Sequence, residues 1–280
     1  MFNDVILTLA IVAGVFDAPI LPTSLPANHN DRSVLIALGD STTRGLASST
    51  GCIGGYLMNG LELSRWLNVY QQITGSVGFP RRGPACGGKA WVDQLATLLQ
   101  SDGPVEVINA ASDGATLEAA EIYETRAVPG DATVVVISEG TPDEMRIIDG
   151  KEPASTFAVG FRELIQIVQT RAPKARIFVS LMPDLSRLPV MPADTGPNPV
   201  TAQNPKNVAD GTVARYLQLH AQLNAIIRSL GVTIVDPYCS ADFYQDVSSD
   251  EFHPNDKGHS IIARSFFAAI HAQKPQCDSP

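Results

Sequence analysis

Residues able to attack a carbonyl and move its proton stand near the two ends of this 280-residue chain. Ser41 closes the run Leu38-Gly39-Asp40-Ser41. Asp250 and His253 belong to Asp250-Glu251-Phe252-His253-Pro254-Asn255. A serine hydroxyl attacks poorly until a neighbouring base takes its proton. A neutral imidazole can be that base, and a carboxylate can hold its tautomer and stabilise the imidazolium that forms. Asp250 and His253 are three apart around a turn broken by Pro254, a spacing that can present both side chains to one rim. Taken alone, Gly-Asp-Ser has a simpler reading: Asp40 or Ser41 caps the next helix. The distant Asp–His pair tips the balance toward nucleophilic chemistry.

The elements around these residues read as an alternation of strand and helix. Val34 to Leu38 is a five-residue apolar run stopped by Gly39-Asp40-Ser41, the pattern of a buried parallel strand feeding a tight turn and a helix. Further strands are expected at Val105–Ile108, Thr133–Ile137, Arg176–Leu181 and Val232–Val235. Helical spacing covers Trp91–Leu99, Phe157–Arg171, Val213–Leu230 and Lys257–Ala272. Five short apolar strands separated by helices predict an α/β fold, a five-stranded parallel sheet covered on both faces. In such sheets ligands bind at the carboxyl ends of the strands. Three strand ends should therefore share a rim: Gly39-Asp40-Ser41, Asn109 through Thr116, and Gly140-Thr141-Pro142-Asp143. Residues 46–88 read as a glycine-rich insertion, with a short helix at Leu61–Leu67. Residues 183–207 read as a long loop.

The formal charge is −9. That excludes nucleic acid and anionic membrane as main partners, because both require basic surface. Hydrophobic content of 44% with 18% charged residues describes a chain with a sizeable core. Val5–Phe16 is apolar but too short to span a bilayer, so stable membrane insertion is not expected. Its length, followed by Ala18, suits the core of a secretory leader, although Asp4 and no basic residue precedes it. Residues 1–31 are read as leader and linker, and 32–280 as one domain. With four cysteines and no Cys-x-x-Cys, zinc and thioredoxin-type chemistry lack support. Secretion would favour the pairs Cys52–Cys86, closing the insertion, and Cys239–Cys277, pinning the tail. The alternative is four reduced thiols in a cytoplasmic protein.

The chain resembles the SGNH hydrolases, also called GDSL esterases and lipases, from about Val34 to about Ala272. Gly39-Asp40-Ser41 is similar to their nucleophile block, and Asn109 through Thr116 to their second block. Asp250-x-x-His253-Pro254-Asn255, with Gly258-His259 behind it, is similar to their last. The resemblance implies a flavodoxin-like α/β/α sandwich. It also implies an acyl-enzyme mechanism on carboxylic esters with Ser41, His253 and Asp250 as triad and the N–H groups of Ser41 and Gly114 in the oxyanion hole. No metal or cofactor is implied, and the partner is a small ester or an acylated lipid or sugar; the chain is expected to be a monomer.

One block departs from the pattern. Where the family has Gly-x-Asn-Asp, this chain has Gly140-Thr141-Pro142-Asp143, and Pro142 offers neither a side-chain donor nor an N–H. Losing one oxyanion donor costs about 10²–10³ in turnover. Three explanations are open: Thr141 or Asn59 supplies the third donor, the two backbone donors suffice, or the protein is a weak hydrolase. The first two are expected to act together. Of the remaining groups, Asp143 is expected to cap the short helix after Pro142, Asp40 to bond within its own turn, and His220, His259 and His271 to serve structure. Competing functions are carbohydrate O-deacetylation, lysophospholipid hydrolysis, and a non-catalytic carbohydrate- or lipid-binding role. Nucleotide binding has little support, since no Gly-x-Gly-x-x-Gly follows a strand.

Overall fold

A computed structural model describes residues 32–45, 81–82, 89–188, 200–239, 241–247 and 252–273. Asn59, the 61–67 segment, Asp250, Cys52, Cys86, Cys277 and His29 lie outside the described residues, so the expectations placed on them are not addressed by the fold.

Five parallel strands form the sheet: β1 (Ser33–Gly39), β3 (Val105–Asn109), β4 (Val134–Ser138), β5 (Arg176–Ser180) and β6 (Thr233–Val235). A two-residue strand, β2 (Arg81–Arg82), pairs antiparallel with β3 at one edge, giving the order β2-β3-β1-β4-β5-β6. Each apolar run in the sequence became a strand because both faces of the sheet are covered. Pleating sends Val34, Ile36 and Leu38 to one face and Leu35 and Ala37 to the other.

The first face packs on α5 (Ala154–Arg171) and α7 (Thr212–Arg228) through Phe157, Phe161, Leu164, Val168, Leu223 and Ile227. The second packs on α2 (Trp91–Leu99) and α8 (Asp256–Ile270), where the Trp91 and Phe266 rings stack with centroids 4.8 Å apart. Four shorter helices complete the described chain: α1 (Ser41–Arg44), α3 (Leu117–Ile122), α4 (Thr141–Ile148) and α6 (Pro205–Ala209). The last of these falls at the end of the expected 183–207 loop, and Leu185–Arg187 adds a 3₁₀ turn there.

Register brings the functional loops level. Ala37 pairs with both Asn109 and Val136, and Gly39 pairs with Ser138, so β1, β3 and β4 end side by side. The three expected loops therefore do open on one rim.

Candidate active site

Ser41 is the first residue of α1 and follows an Asp40 cap whose side chain accepts the Thr42 N–H at 2.9 Å. Cap and exposed hydroxyl thus coexist: Asp40 does the capping and Ser41 is presented by it. Gly39 lies under the turn. A Cβ there would come within 2.7 Å of the Ser138 carbonyl oxygen, a separation real Cβ atoms do not show, so this approach of β1 to β4 requires glycine.

His253 arrives from the far end of the chain. Its segment is anchored by the Asn255 N–H, which donates to the Asp246 carbonyl at 2.8 Å, and by a bridge between Val247 and Pro254. Asn255 then caps α8, its side chain accepting the N–H groups of Lys257 and Gly258. The Phe252 ring packs edge-to-face on the His253 ring, centroids 5.1 Å apart. The result is a contact of 2.8 Å between Ser41 Oγ and His253 Nε2, across 212 positions of sequence. That is hydrogen-bond distance for proton transfer from a hydroxyl to an imidazole.

The loop after β3 is tied to the same turn. The Ser112 N–H donates to the Gly39 carbonyl at 2.9 Å, and Arg44 on α1 reaches Asp113 at 3.1 Å. The next residue, Gly114, is exposed and has φ of +68°, a left-handed conformation that side chains disfavour. Neither the Ser41 nor the Gly114 N–H has an acceptor among the described residues. Two unspent donors near one nucleophile are what a developing oxyanion would use.

Thr141 begins α4, with Pro142 in its first turn, where a missing N–H costs nothing. It lines a cleft with Asp40 and Thr42 whose other walls include Leu185, Leu188, Phe243 and Phe252. Tyr238 also faces this cleft, its hydroxyl bonded to Ser138. None of these apolar and aromatic wall residues was singled out in the sequence, because they come from separate stretches of chain, 185–188, 238–243 and 252.

One expectation needs correcting. Asp143 does not cap its own helix; Gly140 holds the cap position of α4. The buried Asp143 carboxyl instead accepts the Leu117 N–H at 3.2 and 3.1 Å and so starts α3. Burial pushes its pKa up to about 7, against the opposing pull of that bond. Asp40 does bond within its turn, and burial raises it to about 6 against its bond to Thr42. His220, buried His259 and His271 stand apart from Ser41 in structural surroundings: His220 pairs with Glu144 at 2.7 Å and His271 with Asp102 at 2.8 Å.

The sequence matches the GDSL-like lipase/acylhydrolase family over residues 37–261. The chain belongs to that family. Its fold is similar to that of an extracellular lipase from Streptomyces rimosus (14% identity, TM-score 0.51, covering 86% of this chain and 100% of that one). It is similar also to phospholipase A1 from Streptomyces albidoflavus NA297 (14%, 0.53, 87% and 100%). A third likeness is to Axe2, an acetylxylan esterase from Geobacillus stearothermophilus (17%, 0.51, 85% and 94%). No curated protein sequence matches it. At these identities the likeness carries the fold, the flavodoxin-like sandwich of this family, and leaves substrate choice to the site. Among the described residues no helix is long and apolar enough to cross a membrane.

Proposed function

We propose that this chain hydrolyses carboxylic esters through an acyl-enzyme on Ser41. His253 takes the Ser41 proton as the oxygen attacks the ester carbonyl. The N–H groups of Ser41 and Gly114 receive the oxyanion, and His253 then passes the proton to the departing alkoxide. A water, deprotonated by the same imidazole, cleaves the acyl-enzyme and returns Ser41. Asp250 would orient His253 from the other ring nitrogen. The 2.8 Å Ser41–His253 contact is the observation that carries this reading.

Thr141 is the better candidate for the third oxyanion donor, since it lines the cleft beside Asp40 and Thr42; Asn59 is the other. Replacing Pro142 with Asn tests the point: a rise in turnover would mean a donor is missing, and no change would mean one is already in place. One domain over 32–280, with the 46–88 insertion beside the acyl pocket, disulfides Cys52–Cys86 and Cys239–Cys277, secretion and action as a monomer complete the proposal.

The decisive assay is hydrolysis of p-nitrophenyl esters from acetate to palmitate. Ser41→Ala and His253→Ala should each reduce turnover by at least about 10⁴-fold. A Ser41→Ala protein with undiminished esterase activity would remove the basis of the reading.

A further inference from the structure

Glu124, in the turn after α3, is 85 residues from Gly39 in sequence and touches it in space. Its Oε2 accepts the Gly39 N–H at 2.9 Å, and both groups are buried. The Ser112 N–H, at the head of the Gly114 loop, lies close enough to the Glu124 carboxyl to act on it. The same Gly39 receives Ser112 on its carbonyl at 2.9 Å. Gly39, two before the nucleophile, is therefore held by Glu124 through its N–H and by the loop of the second oxyanion donor through its carbonyl.

Glu139, the residue after β4, faces the Glu124 carboxyl. Glu124 Oε1 and both Glu139 oxygens have no N–H or O–H donor among the described residues. Two buried carboxyl groups without an outside donor can satisfy each other only if one keeps its proton. The Ser41 proton-transfer chemistry does not use either of them.

We infer that Glu124 is a positioning residue for Ser41. It fixes the Gly39 amide and so sets where α1 begins relative to the Gly114 loop. This inference rests on the hydrolase reading above. The titratable groups around the pair are Asp40, facing both glutamates, and Asp143, facing Glu139; His253 in turn faces Asp40. No cation is among the strongest influences on Glu124 or Glu139. Burial, the largest cause, raises Glu124 to about 8, with the Gly39 bond opposing it. Burial and then the charge of Glu124 raise Glu139 well above the carboxylate range. Above that pH two like charges would push apart beneath the turn.

The test combines turnover, serine labelling by a fluorophosphonate probe and amide exchange at Gly39. Glu124→Ala should lower kcat and the labelling rate by roughly 10²-fold, with KM for p-nitrophenyl acetate within about twofold. Its Gly39 amide should lose protection. Glu124→Gln keeps a carbonyl acceptor for Gly39 and gives Glu139 an N–H donor. It should hold kcat within about threefold at pH 7 and retain activity above pH 8, where the wild type declines. Wild-type protein that neither hydrolyses nor labels at Ser41 overturns the hydrolase reading, whatever Glu124 does. A labelling wild type whose Glu124→Ala variant labels as fast, or whose Glu124→Gln variant is as damaged as Glu124→Ala, overturns the positioning role alone.

Discussion

Glu139 and Glu144 are five residues apart at the junction of β4 and α4, and both are shut away from solvent, at 2% and 0% exposure. Their surroundings are opposite. Glu144 meets donors from α7: His220 Nδ1 at 2.7 Å and the Tyr216 hydroxyl at 3.5 Å. Glu139 meets Glu124, with Asp40 and Asp143 close enough to add their charge. Burial raises both pKa values; His220 then pulls Glu144 back, while Glu124 pushes Glu139 further up. One carboxyl is answered by donors, the other by keeping a proton.

The donor-rich cluster reaches the cleft beside Asp40 and Thr42 as well. Asn224 donates to His220 Nε2 at 2.9 Å and accepts the Met182 N–H at 3.0 Å. Tyr216 accepts the Leu185 N–H at 2.8 Å, and Tyr244 accepts that of Asp184 at 2.9 Å. The loop that supplies Leu185 and Leu188 to the cleft is thus held from behind by polar side chains of α7 and the 241–245 turn. Compensated polar burial here holds the cleft wall; the carboxyl pair without donors lies beneath the Ser41 turn.

The comparison breaks most sharply at His220. Replacing His220 with Leu removes the principal donor and leaves Glu144 a buried carboxyl with little to answer it. Losing one partner of a buried pair costs about 3–5 kcal/mol, and thermal unfolding at pH 7 should show a loss of that order. A loss below about 1 kcal/mol would mean that Glu144 protonates as readily as Glu139 does, and the contrast would vanish.

The next effect is on pH. Glu124 titrates near 8 in the folded chain against 4.5 in an ordinary carboxyl. Between those values the native state binds more protons than the unfolded one, so stability falls as pH rises. It is fully present below about 4.5 and is lost through about 8. A loss of roughly 2 kcal/mol between pH 6 and 9 would lower Tm by about 4–8 °C in a chain of this size. Glu139→Gln removes one of the two charges and should flatten that decline, as followed by thermal melts across pH.

These two clusters also mark the limit of what could be read before the fold. Buried parallel strands are near-continuous apolar runs, so all five announced themselves, and Trp91–Leu99 did so to the residue because its apolar spacing is helical throughout. The Ser41 and His253 motifs were legible because their local chemistry is unusual. Helix α3 was not: Leu117-Glu118-Ala119-Ala120-Glu121-Ile122 is too short for periodicity, and beyond its local Thr116 cap its first N–H is met by Asp143, 26 residues away. Glu124 gave no signal at all, since its partner is Gly39. Glu139 offered a faint one, a carboxyl two places after a run of four buried apolar residues, Val134–Ile137.

A smaller change sharpens the role of the donor-rich side. Asn224→Ala leaves the Met182 N–H without its acceptor, a cost of about 1–3 kcal/mol. Its larger signature should be specificity: KM for long-chain p-nitrophenyl esters should rise severalfold as the Leu185–Leu188 wall loosens, with kcat for acetate nearly unchanged. Equal effects on both esters would mean the loop does not contact the acyl chain.

The smallest expected stability effect is at Arg44–Asp113, which joins α1 to the Gly114 loop at 3.1 Å with both side chains partly exposed, 26% and 21%. Water screens such a pair, and its loss costs about 0–1 kcal/mol. Its position should matter more than its energy, because it spans the two backbone donors assigned to the oxyanion. Arg44→Ala should therefore leave Tm within about 3 °C while lowering kcat severalfold, and Arg44→Lys should recover only part of that loss, since an ammonium cannot reproduce the guanidinium's planar geometry. If kcat is unchanged in a fully stable Arg44→Ala protein, the two loops keep their spacing through Glu124 and the Ser112–Gly39 bond alone. Those two contacts would then carry the whole task of holding the oxyanion donors in place.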